Sequence, residues 1–186
     1  MIEPSHMPHD SYCAVALAHP WHGPYHDEEY GVPVRDDDRL FERLVLEINQ
    51  AGLSWLTILK KRGHFRRAYN EFRLESVAGY DDTERARLLG DAGIVRNRLK
   101  VAAAIHNAGV IIELRRTHGS FAAWLDAHHP RPIADWVHLF RATFRFTGGE
   151  ITREFLVSTG YLPGAHAPGC PVGDRVLELS PPWSTA

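Results

Sequence analysis

The chain carries two cysteines, one near each end, and each has a histidine at ligand-like spacing: Cys13 with His26, and His166 with Cys170. Any tie among these four requires the ends to meet, so the fold must close on itself across about 140 residues. Pinning a loop of that length removes on the order of 4–5 kcal/mol of unfolded-chain entropy in the loop-closure account. Thiolate and imidazole are the ligands that zinc takes in a closed structural tetrahedron, which leaves no position for a substrate. On that reading a metal clasps an N-terminal arm to a C-terminal tail, and chemistry lies elsewhere. Spacing alone leaves two other readings open. Cysteine is often simply buried, and with 12 histidines some fall near a cysteine by accident. A Cys13–Cys170 disulfide is the other competitor. No apolar run precedes Cys13, which favours a reducing cytosol.

A chain of 186 residues is long enough for one compact domain, expected here over residues 11–180. Residues 1–10, with two prolines and two histidines, read as a flexible arm. No stretch approaches the roughly 20 apolar residues of a membrane span, and a cytoplasmic monomer is expected. The net charge of −2 gives no global reason for a polyanionic partner, although a local basic surface is compatible with it.

Hydrophobic spacing points to helices throughout. Asp36, Asp37 and Asp38 precede Leu40, Phe41, Leu44, Val45 and Ile48, so a helix starts here with carboxylates at its positive end. Gly52 ends it, and Ser54 caps a second helix carrying Trp55, Ile58 and Leu59 with a basic end at Lys60, Lys61 and Arg62. Asp81 and Glu84 form a capping-box-like start for a short helix reaching Gly90. An amphipathic helix is expected over residues 97–114, another short one is capped by Ser120, and two more cover residues 133–144 and 150–158. No period-two alternation appears, so the fold class is all-α.

Glu47 is the sharpest single residue. It lies along one helix stripe with Leu40, Leu44 and Ala51, which places a carboxylate on or beside the apolar face. Such a group is either a pocket acid or an edge residue that reaches solvent or pairs with Arg43 or Arg62. The following Asn49-Gln50-Ala51-Gly52-Leu53-Ser54-Trp55 is a tight helix-to-helix turn, a kind that often only packs. The segment Tyr25-His26-Asp27-Glu28-Glu29-Tyr30-Gly31 collects aromatic, ligand and carboxylate groups and otherwise reads as a surface loop. Asp91 to Lys100, through Gly93, Arg96 and Arg98, offers backbone amides and basic side chains at a helix start, which suits a phosphate or is merely a capped turn.

Taken together, Cys13, Tyr25-His26-Asp27-Glu28-Glu29-Tyr30-Gly31-Val32-Pro33, Leu46-Glu47-x-x-Gln50-Ala51-Gly52-Leu53-Ser54-Trp55-x-x-Ile58-Leu59-Lys60-Lys61-Arg62, Gly93-Ile94-x-Arg96-x-x-x-Lys100, Asn107-Ala108, Phe144-x-Phe146 and His166-x-x-x-Cys170 resemble the 3-methyladenine DNA glycosylase I family. The resemblance runs from about residue 13 to 172, and residues 50–55 with the basic tail are its most specific run. It implies an all-α fold similar to the helix-hairpin-helix DNA glycosylases, with the termini joined by a structural zinc on Cys13, His26, His166 and Cys170. It also implies hydrolysis of the glycosidic bond of an alkylated adenine flipped out of duplex DNA. Glu47 would accept hydrogen bonds from the base's exocyclic amine, Trp55 would offer its π face to the cationic ring, and Tyr25 would contact the same edge. Gly52 and Leu53 would fill the gap in the duplex, and Gly93, Arg96 and Lys100 would hold the phosphate backbone. Neither Asp91 nor Glu150 is assigned as a catalytic base, because a cationic base is already a good leaving group.

The chain departs from the family at three places. Val15 and Tyr30 stand where tryptophans are usual, so Tyr30 forms an altered wall of the expected base pocket. A lysine-rich lead into Phe-x-Phe-Val-Gly-Pro-Thr is replaced by a weakly charged stretch over residues 136–143, followed by Phe144-Arg145-Phe146-Thr147-Gly148-Gly149-Glu150. Two competing functions therefore stand beside the glycosylase: a non-catalytic or altered-specificity reader of damaged DNA, and a zinc hydrolase built on His26 with Asp27 or Glu28.

Overall fold

A computed structural model describes residues 11–185 of the chain, so the expected arm over residues 1–10 lies outside the described residues. Among those described, the regular structure is helical and no strand occurs. The chain forms two compact units, one from residues 11–34 and 154–185 and the other from residues 35–153.

The larger unit is built around α3, Asp37–Gln50. Asp36 caps it through the Arg39 amide, as the run of aspartates anticipates. Its buried side chains include Leu40, Phe41, Leu44 and Ile48, and it packs on α4 (Trp55–Ala68), α5 (Leu74–Ala78), α7 (Arg98–His118) and α8 (Phe121–His128). Asp37 is buried because its carboxylate accepts from the Phe121 amide at 2.9 Å and Arg115 Nε at 3.1 Å, tying the start of α3 to the start of α8 and the end of α7. Glu42 joins α3 to α4 by accepting from Arg62 Nε and Arg66 Nε, both at 2.8 Å. Between α5 and α7 lies α6, Asp82–Gly90, and α9 follows α8 as Ile133–Thr143.

The capping signals Ser54, Asp81 and Ser120 act as expected, each accepting from the amide three residues on. Helix α7 runs four residues beyond the expected end and stops where Gly119 takes φ +90°, a conformation that disfavours other residues.

In the smaller unit, α1 (Tyr12–Ala16) and α2 (His22–Glu28) precede α11 (Pro171–Glu178). Helix α10, Gly149–Ser158, enters this unit from Glu154 onward. Cys13, Cys170, Val172 and Val176 pack together, with Val32 and Ala167 against them. The surface-loop reading of residues 25–31 is corrected here: Tyr25 and His26 are buried on α2. Helices this short lack the repeats that periodicity needs, and burial against distant residues holds them.

Candidate functional site

In the larger unit, α3 brings Glu47 into the buried face at 5% exposure, which removes the solvent-reaching alternative. A carboxylate this buried requires polar company or a polar ligand. Trp55 is half-buried at the first position of α4, next along the chain and packed on α3. Between them, residues 51–54 are exposed: Gly52 takes φ +83° and Leu53 presents its side chain at 42% exposure. The turn is tight, with the Leu53 amide donating to Gln50 O at 2.6 Å. A small residue and an exposed leucine at the tip of a helix-to-helix turn have the shape of a wedge.

The phosphate expectation for Lys100 needs correction. This lysine is 5% exposed, and its Nζ donates to Asn49 O at 3.0 Å and Ala51 O at 2.7 Å. It therefore closes the C-terminal carbonyls of α3, which have no partners within the helix, and complements the negative end of its dipole. Burial pushes its pKa below the ordinary lysine value. Its Nζ also stands 5.8 Å from the centroid of the Phe146 ring.

The other predicted phosphate residues sit on the turn between α6 and α7. Asp91 Oδ1 accepts from the Gly93 amide at 2.7 Å, and Lys61 Nζ reaches across to Ala92 O and Gly93 O. A Cβ on Gly93 would lie 2.7 Å from His64 Nδ1 and 2.9 Å from Asp91 Oδ1, so a larger residue here would force these side chains to shift. Asn97 caps α7 through the Leu99 and Lys100 amides, and Arg96 is exposed one residue earlier.

In the smaller unit, one ligand atom from each of Cys13, His26, His166 and Cys170 lies within 4.8 Å of the others. His26 Nε2 and His166 Nδ1 are 3.2 Å apart, and the Cys170 sulfur lies 3.6 and 3.8 Å from them. Zinc bond lengths to nitrogen and sulfur set tetrahedral edges of about 3.3–3.8 Å; the distances among His26, His166 and Cys170 lie close to these, and Cys13 Sγ stands slightly farther out, 3.9 Å from His166 Nδ1. The second ring nitrogens are held too: His26 Nδ1 by Asp27 Oδ1 at 2.7 Å, and His166 Nε2 by Tyr30 O at 2.8 Å. Fixing the imidazoles this way is what metal sites do through their outer partners. Both cysteines are free thiols, so the disulfide alternative is not the arrangement adopted. Burial pushes the Cys13 thiol up and His166 down, toward their uncharged forms.

Beside this cluster, Tyr30 packs with Tyr12 and Tyr25 at centroid distances of 5.0 and 5.6 Å, and donates from its hydroxyl to Glu154 at 3.3 Å. Tyr12 also bonds His22 Nδ1 at 3.0 Å. Sequence reasoning missed Tyr12, whose only signal was adjacency to Cys13.

Methyladenine glycosylase is the family that matches, over residues 16–141. The chain belongs to it. Among members of this family, DNA-3-methyladenine glycosylase 1 of Escherichia coli strain K12 is 32% identical over 177 residues, spanning 85% of this chain and 94% of that protein. DNA-3-methyladenine glycosylase of Haemophilus influenzae is 34% identical over 113 residues, 60% of each chain. A solved structure of 3-methyladenine DNA glycosylase I from Staphylococcus aureus superposes with TM-score 0.77 at 30% identity, covering 87% of this chain and 95% of that one. A variant of 3-methyladenine DNA glycosylase I in complex with 3-methyladenine gives TM-score 0.77 at 29% identity, covering 87% and 96%.

Where this family member departs in sequence, Val15 is exposed on α1 and Tyr30 joins the tyrosine cluster. The third departure, residues 144–148, forms the turn between α9 and α10. Phe146 there takes φ +61° at 38% exposure. A bulky residue in that region costs about 1–3 kcal/mol, which the surrounding bonds must offset.

Proposed function

We propose that this chain is a monofunctional DNA glycosylase that hydrolyses the N-glycosidic bond of 3-methyladenine flipped out of duplex DNA. What carries the reading is a carboxylate, Glu47, buried on α3 directly before an exposed wedge-shaped turn, in a chain of the methyladenine glycosylase family.

Methylation at ring nitrogen three puts positive charge on adenine, which weakens its bond to the sugar. Water attacks the sugar's anomeric carbon, the bond's electron pair passes to the base, and the base leaves neutral while the water's proton goes to solvent. With so good a leaving group no dedicated base is required, and the enzyme acts by extruding and holding the nucleotide. Glu47 would accept hydrogen bonds from the exocyclic amine and favour a cationic ring over neutral adenine. The Trp55 face would add about 2 kcal/mol when desolvated. Tyr25 and Tyr30 are assigned to base contact by the family resemblance. Gly52 and Leu53 would fill the gap left in the stack, where small apolar wedges stabilise a distorted duplex. Gly93 and Arg96, on the turn between α6 and α7, would lie along the phosphate backbone.

Cys13, His26, His166 and Cys170 would hold a structural zinc, whose closed tetrahedron supplies a tie and no catalysis. The reading includes a monomer working on DNA in the cytoplasm, associated with the nucleoid when bound; among the described residues no helix is long and apolar enough to cross a membrane.

The test is incubation with methylated duplex DNA and chromatography of the released bases. The protein is expected to release 3-methyladenine, and Glu47→Gln to lose at least tenfold in rate while still binding DNA. Near-full excision by Glu47→Ala with normal DNA binding would exclude the pocket role. Tight binding without any base release would favour the reader.

A further inference from the structure

Tyr12, at the start of α1, has no task in the reading above, yet the tyrosine cluster of the smaller unit is arranged around it. Its half-buried ring stands edge-on to Tyr30, with centroids 5.0 Å apart and planes at 71°, and to Tyr25 at 6.5 Å and 72°. His22 and His26 lie against the same ring at 5.4 and 6.0 Å, and the Tyr12 hydroxyl is hydrogen-bonded to His22 Nδ1.

Tyr12 is itself held in place. Ser11 caps α1 through the Ala14 amide, and the next residue, Cys13, belongs to the four-ligand cluster. Tyr30 is tethered at both ends: its carbonyl meets His166 Nε2, and its hydroxyl donates to Glu154 at 3.3 Å. A phenol ring held at its backbone and its hydroxyl still turns about the axis joining them, because that torsion is broad. A second ring set across it fixes the angle, and edge-to-face contact is the favoured geometry for doing so. Tyr12 is such a ring, and Tyr25 packs on Tyr30 at 5.6 Å with planes at 38°. Val15, one turn further along α1, stands at a position where the family usually has tryptophan; at 51% exposure its aliphatic side chain supplies no ring.

We propose that Tyr12 is a positioning residue for base recognition: it takes over from the tryptophan absent at Val15 and sets the ring planes of Tyr30 and Tyr25 for the flipped base. A recognition ring already fixed in its bound orientation loses less entropy when the base arrives. Tyr12 acts through Tyr30 and Tyr25, and its position is inherited from the clasp that holds Cys13.

The inference rests on the glycosylase reading, and its test keeps the two apart. Free 3-methyladenine is titrated into each variant by NMR, with zinc content, melting, base release from methylated DNA and affinity for a duplex bearing an abasic-site analogue measured in parallel. Tyr12→Ala is expected to weaken base binding and lower kcat/KM about fivefold, the scale of one lost edge-to-face pair. Affinity for the abasic duplex, which presents no base, should be unchanged. Tyr12→Phe keeps the ring and should restore base affinity. In a Tyr30→Ala background, Tyr12→Ala should have much less effect, because the ring it orients is gone. Wild-type base affinity in folded Tyr12→Ala, or an undiminished effect in the Tyr30→Ala background, would overturn the positioning role alone. If Tyr12→Ala melts early or loses zinc, Tyr12→Leu, which keeps bulk without a ring, decides against Tyr12→Phe: equal base affinity in the two refutes the proposal. A wild-type chain that neither binds nor releases 3-methyladenine would instead overturn the glycosylase reading, and this inference with it.

Discussion

Replacing Lys100 by methionine removes the ammonium that closes the end of α3 while keeping a side chain of similar length. Two charge-assisted hydrogen bonds go with it, at 3.0 and 2.7 Å. Each such bond contributes about 1.5–3 kcal/mol, and an acceptor left dry costs a similar amount. Ala51 is exposed, so water takes over at its carbonyl, whereas Asn49 is buried and its carbonyl loses the ammonium outright. The expected loss is roughly 2–4 kcal/mol, a fall in Tm of roughly 5–15 °C for a chain of this size. Urea unfolding followed by circular dichroism reads the first number. The second measurement is DNA affinity against salt. A lysine on a phosphate would take about 0.9 from the slope of log K against log salt when removed, whereas a lysine that caps a helix takes nothing. Lys100→Met is therefore expected to be less stable, with an unchanged slope. Unchanged stability with a slope reduced by about one would refute the capping role.

Glu42 supplies a pH test. Burial pushes its carboxyl up, but the guanidiniums of Arg62 and Arg66 more than reverse this and hold it below the usual carboxylate range. Its contribution is therefore fully present above the unfolded value of about 4.3 and is lost as pH falls through the lower folded value. Glu42→Gln should be about 2–3 kcal/mol less stable near pH 7, because two arginines lose a buried partner and one of them is partly exposed. It should also lose less than wild type on acidification from pH 5 to 3; parallel urea midpoints over that range would contradict the assignment. Metal analysis should find about one zinc per chain and none in Cys170→Ser. Chelation should then lower the Tm of the wild-type chain and make both thiols reactive, and an unaltered melt after complete chelation would remove the clasp.

Local signals were readable from the sequence because their partners lie three or four residues away. Asp36, Ser54, Asp81 and Ser120 each cap the helix that follows them, and the Leu40, Leu44 and Glu47 stripe predicts a carboxylate on a buried face. The short helices α1, α2 and α11 were not readable, since they carry too few turns to show a period and owe their order to residues far along the chain.

The sequence by itself determined the helical class, the family, and the types and order of the groups available for chemistry. Tertiary structure decided what each group touches. Lys100 has the spacing of a phosphate ligand, yet its ammonium ends on carbonyls about 50 residues away, a pairing that no local pattern encodes. The same holds for Cys13 and His166, whose approach to 3.9 Å depends on the fold bringing distant segments together. Helix periodicity and caps are properties of neighbours along the chain, whereas burial and the meeting of remote side chains arise only when the chain folds on itself.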